Sequence, residues 1–456
     1  MPTIDFLLLL LLLLLLAGAR GAPEPNPPSY FAVVPCDAAM LDRQPPHLRH
    51  EVGGPECVAV WHGPLEPGAL EAALADEHPG AELLPDTLLE AQDAQLHAPP
   101  DHRTVEAWTT HCRTNHPGAP GRERGYAGGA FAWGVDRLDG SAVLDARFCS
   151  RYTGAGVDVY VVDTGVAPHD TFRLPVRQGF SSYVPGGVPD PADPDPNGHG
   201  THVAGLAASA VYGVAPDAQV TAVQVLGPSG SGPTSGIVAG LLWIAGDRAG
   251  RAGTHPGCVI NLSLGGFSRG TETERRLYAR LRDEFACVVV VAAGNACVDA
   301  CTFKPALFAE TVTVGATDPT DGLVRTSTWG SNYGPCVTLS APGLGIVSAY
   351  GPDLSWVLKS GTSMASPLAA GVAAALYEEH LAAGGRPTGT GVRATLLARA
   401  TPAVRNAPAT GTSRLLVQLV PTSGVPAQAG YGAVPADLEV LYIGLGVLTV
   451  AVWLLL

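Results

Sequence analysis

The segment Ser360–Gly361–Thr362–Ser363–Met364–Ala365–Ser366–Pro367 holds a serine between a glycine turn and a run of small, helix-forming residues, Leu368 to Leu376. That pattern sets a hydroxyl at the N-terminus of a buried helix, where backbone N–H groups can receive negative charge. In isolation it is also the pattern of an ordinary helix cap. Two upstream segments favour a chemical reading. Val157–Asp158–Val159–Tyr160–Val161–Val162–Asp163–Thr164–Gly165 is a β-branched run ending in a carboxylate and a glycine. It predicts a buried parallel strand with Asp163 at its C-terminal end, the end at which open α/β sheets gather their active groups. Asn197–Gly198–His199–Gly200–Thr201–His202 holds His199 between glycines, ahead of a small-residue helix, Val203 to Ala210. A lone histidine of this kind is commonly structural. Here acid, base and nucleophile occur together, the set that serine-mediated acyl transfer requires.

A fourth segment adds the remaining part. Val288 to Asn295 predicts a second buried strand, ending in an amide. Acyl transfer develops an oxyanion, and an Asn side chain can donate to it. An Asn after a strand is otherwise a turn residue.

Together these four blocks, in the order Asp163, His199, Asn295, Ser363, resemble those of the subtilisin superfamily. The details are similar to the branch that contains proteinase K, aqualysin-like enzymes and the related proprotein convertase. Ala132–Asp139 is similar to the start of the mature enzyme in that family, and Val225–Gly232 and Asn261–Gly266 are similar to its two substrate-flanking segments. The resemblance spans roughly residues 130 to 420. It implies a serine endopeptidase in which Ser363 attacks the peptide carbonyl, His199 carries the proton, Asp163 orients the imidazole and Asn295 holds the oxyanion. It also implies that Gly230 and Gly232 on one side, and Ser263 and Gly265 on the other, clamp the substrate as an added strand. Ala292–Ala293–Gly294 would help floor an open, mostly apolar S1 pocket. Cys301 and Cys336 match a family disulfide, whereas Cys149, Cys258, Cys287 and Cys297 receive no partner.

Other residues carry blander expectations. His202 is expected to be structural, and Asp158 a surface residue rather than a second catalytic acid. Asp190, Asp193 and Asp195 lie in an acidic, proline-rich loop before His199. Such a loop can bind Ca²⁺ through oxygen ligands, but a solvated loop is the commoner outcome. Close relatives carry an aspartate calcium ligand where this chain has Thr338, so the usual structural calcium site is in doubt; no other cofactor or metal is implied.

The 456 residues suffice for one large and one smaller domain. Hydrophobic residues make up 46% and charged ones 15%, which suits a well-buried enzyme. A net charge of −14 argues against a nucleic-acid partner, which demands basic patches. Phe6 to Leu16 form an apolar h-region, followed by Ala17–Gly18–Ala19, so residues 1–19 are expected to be a signal peptide. Asp5 departs from the usual basic n-region. The secretory route permits disulfides, and nine Cys leave at least one unpaired or lost with a removed segment.

Residues 23–120 predict an α+β inhibitory propeptide, with a strand at Glu56–Trp61 and a helix over 67–75. Self-cleavage is expected somewhere between about residues 95 and 131, at a bond the sequence does not fix. From Trp133 onward, strands (157–162, 219–226, 258–263, 287–292, 311–315) alternate with helices (201–210, 234–248, 271–284, 363–380). That alternation predicts a doubly wound parallel sheet with helices on both faces, and residues 411–420 resemble the closing strand of the family domain. After a linker at 421–439, Val440–Leu456 is uncharged, at the lower length limit for a spanning helix. It is either a GPI-attachment signal, given the small residues and spacer before it, or a membrane anchor; a buried core segment is the plainer alternative. The expected partners are protein or peptide substrates and the chain's own propeptide. A second function class stays open: a binding protein on a protease scaffold, held inhibited by its prodomain.

Overall fold

The computed structural model describes residues 29–35, 48–51, 56–62, 71, 72, 74, 81–92, 94–97, 122–125, 133–140, 144 and 147–419, except 185, 252, 352–354 and 410. The expected signal peptide, the linker and the C-terminal hydrophobic segment lie outside these residues.

The first unit is a small antiparallel sheet. Strands β1 (Ser29–Pro35), β2 (Leu48–Glu51), β3 (Glu56–His62) and β4 (Leu84–Pro85) pair in the order β2-β3-β1-β4. Of the helix expected over 67–75, Glu71, Ala72 and Leu74 are described and helical. Ala32, Val34, Ala59, Trp61 and Leu74 form this unit's own core, and Phe31, Val58 and Val60 on the alternate positions join a core of the larger unit. The strand period of two thus serves both as fold and as docking surface. Two short strands follow, β5 (Leu88–Ala91) and β6 (Ala94–His97), and both pair with the larger unit.

The larger unit opens with β7 (Arg122–Gly125) paired to β8 (Arg147–Ser150) and the short helix α1 (Trp133–Asp136) between them. In chain order come β9 (Val157–Asp163), β10 (Arg177–Ser181), α2 (His199–Ala208), β11 (Gln219–Gln224), β12 (Ser231–Pro233), α3 (Thr234–Arg251) and β13 (Gly257–Leu262). They are followed by β14 (Leu264–Phe267), α4 (Glu272–Asp283), β15 (Cys287–Ala292), β16 (Phe303–Lys304) and β17 (Val312–Thr317). The last are β18 (Leu339–Pro342), the hairpin β19 (Ile346–Ala349) and β20 (Trp356–Ser360), α5 (Thr362–Ala382) and α6 (Gly389–Arg399).

Seven strands form one parallel sheet in the order β10-β11-β9-β13-β15-β17-β18. Each central strand reads as an unbroken apolar run because both faces are covered. Along β9, Val157, Val159 and Val161 face one core, and Tyr160 and Val162 face the other. Along β15, Val288 and Val290 divide from Val289 and Val291 in the same way. Helix α5 lies within the first core and is buried from Thr362 to Tyr377, which accounts for its nearly all-apolar sequence. The strand order reverses at β9, which lies between β11 and β13. The crevice outside the carboxyl ends of these strands is where open α/β sheets bind ligands.

Three expectations change. The closing strand over 411–420 is reduced to isolated bridges, Leu416 with Ser340 and with Thr401. Asp158 is not a surface residue: it is fully buried, and its carboxylate pairs with Arg248 (2.9 Å) and Arg251 (2.7 Å). Cys258 and Cys287, left without partners by the sequence, sit opposite each other on adjacent β13 and β15 and form a disulfide.

Candidate active site

Asp163 ends β9 and His199 begins α2, so two elements deliver an acid and an imidazole to one end of the sheet. His199 Nδ1 lies 2.6 Å from Asp163 Oδ1, with both side chains buried. The Thr164 backbone N–H also donates to Asp163 Oδ1 (2.8 Å), which fixes the carboxylate's rotation. The close approach depends on glycine: a Cβ on Gly200 would stand 1.9 Å from the Gly165 carbonyl oxygen.

Ser363 occupies the first turn of α5. Gly361, just before that helix, has φ 148°, a backbone state open to glycine and strained for other residues. Ser363 Oγ donates to the Ser263 carbonyl (2.9 Å), and Ser263 Oγ returns a bond to the Ser363 carbonyl (2.9 Å). The N-terminus of α5 is thereby tied to the end of β13.

Asn295 follows β15. Its Oδ1 accepts from Thr362 N (2.9 Å) and Thr362 Oγ1 (3.0 Å), an arrangement that turns Nδ2 toward the cleft. There Asn295 Nδ2 donates to the Gln92 carbonyl oxygen at 2.8 Å, and the Ser363 backbone N–H donates to the same oxygen at 3.0 Å. A peptide carbonyl thus sits between two donors at the N-terminus of α5. This is the geometry that stabilises charge developing on that oxygen.

The chain leading to Gln92 fills the cleft as a strand. β5 runs antiparallel between β12 and β14, with Gly232 opposite Leu89, Ser231 opposite Glu90 and Gly265 opposite Glu90. Ala91 N donates to the Gly230 carbonyl (2.8 Å) and Gln92 N to the Ser263 carbonyl (3.0 Å). The Gln92 side chain donates to the Gly265 carbonyl (3.0 Å). Gly230, Gly232, Ser263 and Gly265 therefore all border this strand. Gly294 lies behind them. Its N–H donates to Thr362 Oγ1 (3.1 Å), and a Cβ there would meet Asn332 Nδ2 at 2.3 Å.

Side chains anchor the strand further. Leu89 is buried in an apolar cluster with Ile237, Val238, Leu241 and Tyr278, beside the buried Lys304–Glu274 pair (3.1 Å). Asp86 accepts from Ser235 N (2.9 Å) and Ser235 Oγ (2.7 Å) at the start of α3, where the helix dipole favours an anion. On the far side of Gln92, β6 extends the β19–β20 hairpin, with Ala94 opposite Ser360 and His97 opposite Leu358. The exposed Tyr183 phenol donates to the Ser231 carbonyl (2.9 Å) and braces the rim strand.

His202 is buried, with Nε2 3.1 Å from the Val357 carbonyl oxygen and away from the cleft. Cys301 and Cys336 are bonded, and Cys297 is a half-exposed free thiol. Thr338 Oγ1 receives the Thr313 N–H (3.1 Å). The acidic loop is not uniformly solvated: Asp190 and Asp193 are exposed, but Asp195 is half-buried and bonded to Thr164 and Thr201. Thr164, Thr362 and Gln92 escaped the sequence reading, and Asp195 entered it only as one carboxylate of an acidic loop, since each makes contacts with a segment distant in the chain. The Asp195–Pro196–Asn197–Gly198 turn before His199 was the one available signal for Asp195.

Comparisons with known proteins place the chain in a family. The family model for the subtilase family (Peptidase S8) matches residues 154–432. An extracellular serine proteinase of Thermus sp. (strain Rt41A) is 42% identical over 281 residues, covering 60% of this chain and 63% of that protein. Alkaline serine exoprotease A of Vibrio alginolyticus is 40% identical over 251 residues, covering 54% of this chain and 43% of that protein. The chain thus spans less than two thirds of the length of these two relatives. The crystal structure of a cold adapted subtilisin-like serine proteinase superposes with a TM-score of 0.53 at 35% identity, covering 64% of this chain and 98% of that one. With the family match covering well over half of its length, the chain belongs to the subtilase family.

Proposed function

We propose that the protein is a serine endopeptidase of the secretory route, made as a zymogen whose N-terminal segment blocks the cleft and is cut by the enzyme itself between Gln92 and Asp93. The carrying observation is the Gln92 carbonyl oxygen held by Asn295 Nδ2 (2.8 Å) and the Ser363 N–H (3.0 Å). This bond lies just before the 95–131 stretch expected from sequence. In the step, Ser363 Oγ bonds to the Gln92 carbonyl carbon and gives its proton to His199. The Asp163 carboxylate stabilises the imidazolium. The Gln92–Asp93 C–N bond then breaks as His199 protonates the leaving amine, and water releases Gln92 as a carboxylate. The β5 pairings survive the cut, so the severed segment continues to inhibit until it dissociates.

The apolar leader and the extracellular character of the Thermus relative support an extracellular location. Attachment to the membrane through Val440–Leu456, by lipid or by a spanning helix, is part of the same proposal. Expression in secretory cells tests it. Wild-type protein should yield a chain beginning at Asp93, and Ser363→Ala should stay uncut. An uncut wild-type chain, or normal cutting of Ser363→Ala, overturns self-processing. The full chain should fractionate with membranes, whereas a chain ending at Pro421 should appear in the medium.

The two-sided pairing of β5 also favours a second reading, a scaffold that processes itself once and thereafter only binds. Processed protein that hydrolyses a denatured protein substrate excludes it.

A further inference from the structure

We propose that Asp195 is a positioning residue that holds the Asp163–His199 pair in register, an inference that rests on the peptidase reading above. Its carboxylate accepts five hydrogen bonds. Oδ1 takes Thr164 Oγ1 (2.7 Å), Gly198 N (2.8 Å) and Asn197 N (3.3 Å). Oδ2 takes Thr201 N (2.8 Å) and Thr201 Oγ1 (2.5 Å). One side chain thereby spans both carriers of the pair, the loop after β9 and the first turn of α2.

The bonds continue inward from each end. Thr164 Oγ1 accepts the Gly200 N–H (2.9 Å), and Thr164 N donates to the Asp163 oxygen that also meets His199. Thr201 Oγ1 accepts the Ala167 N–H (2.9 Å). Backbone packing closes the same triangle. A Cβ on Gly165 would stand 1.9 Å from the Pro194 carbonyl oxygen, and one on Gly200 would stand 1.9 Å from the Gly165 carbonyl oxygen. Three segments meet backbone to backbone, and Asp195 is the carboxylate that bonds across them. Its neighbours do otherwise: Asp190 accepts only from Ala192 N within its own turn among the described bonds, and Asp193 is exposed. The anion also lies at the start of α2, where it complements the helix dipole beside the imidazole.

Displacing a general base by about an ångström costs on the order of 100-fold in rate, so a clamp on this pair acts on the chemical step rather than on substrate affinity. The test measures the first-order rate of cis cleavage in the full chain, and kcat and KM on a peptide substrate for processed protein. Asp195→Asn keeps the volume but sets an amide donor where one oxygen received Thr201. It should lower the cis rate and kcat by about 10- to 100-fold with KM within about twofold. Thr164→Val, which deletes the hydroxyl that Asp195 binds, should lower both comparably, and Thr164→Ser should restore them. The double variant Asp195→Asn/Thr164→Val should lose little more than the worse single one, because both break one connection. Asp195→Asn with wild-type kcat, or with its loss confined to KM, overturns the proposal. If Asp195→Asn does not fold, the Thr164 pair decides: equal kcat for Val and Ser overturns it, and a deficit in Val alone supports it. Wild-type protein without Ser363-dependent cleavage overturns the peptidase reading and this proposal together. An active wild type with unimpaired variants overturns this proposal alone.

Discussion

At the residue scale, the cleft is defined by donors aimed at one oxygen. Thr362 holds the amide carbonyl of Asn295 through both backbone and hydroxyl. In processed protein, Asn295→Ala should lower kcat by about 10²–10³ with little change in KM, the usual cost of one such donor. A loss confined to KM would make Asn295 a binding residue only. Thr362→Val keeps the backbone bond and drops the hydroxyl. Its expected loss is about 10-fold in kcat, matching one hydrogen bond of roughly 1–1.5 kcal/mol. Pre-steady-state acylation rates on a chromogenic ester check both variants. Neither Thr362 nor Thr164 stands out in the sequence, because a hydroxyl beside a functional residue looks the same whether it orients that residue or merely caps a turn.

At the element scale, β5 lies as a strand between β12 and β14. Backbone bonds to β12 and β14 set its register, and Leu89 supplies the apolar anchor. Burying such a side chain contributes about 2–3 kcal/mol. In a synthetic peptide of residues 81–92, Leu89→Asp should therefore weaken inhibition of the processed enzyme by on the order of 100-fold. It also sets a carboxylate near Glu274. An inhibition constant unchanged by the substitution would show that backbone pairing alone carries the affinity. The disulfide between β13 and β15 is a second element-scale device. It closes a 29-residue separation, so replacing Cys258 and Cys287 together by Ala should cost roughly 3–4 kcal/mol in a denaturant titration. Alkylation of the native, non-reduced protein should label Cys297 and leave Cys258 and Cys287 untouched.

At the scale of the whole molecule, charge networks fasten the sheet to its helices. Burial, the largest influence on Asp247, pushes its carboxyl up. Hydrogen bonds from Arg177 and Tyr160, with the charges of Arg177 and Arg251, outweigh it and hold the carboxyl below its ordinary value. Such a group stabilises the fold above the pKa of the unfolded carboxyl, near 3.9, and that stability is lost as pH falls through the lower folded value. Asp247→Asn should therefore lower the melting temperature at pH 6 more than at pH 3, and an equal drop at both would refute the linkage. The doubly wound class and the central strands were legible in the sequence, and the segments that carry Asp163, His199, Asn295 and Ser363 stood out there. Long apolar runs have few folds that bury both faces, and the chemistry needs particular side chains beside particular turns. The tertiary structure alone decided the rest. It paired Cys258 with Cys287 by setting β13 beside β15, and it buried Asp158 by bringing two arginines of α3 to it. It set the Gln92 carbonyl between Asn295 Nδ2 and the Ser363 N–H, and it bonded Asp195 to Thr164 rather than leaving it solvated. These outcomes depend on distances between segments far apart in the chain, and local pattern carries no record of such distances until the sheet has closed.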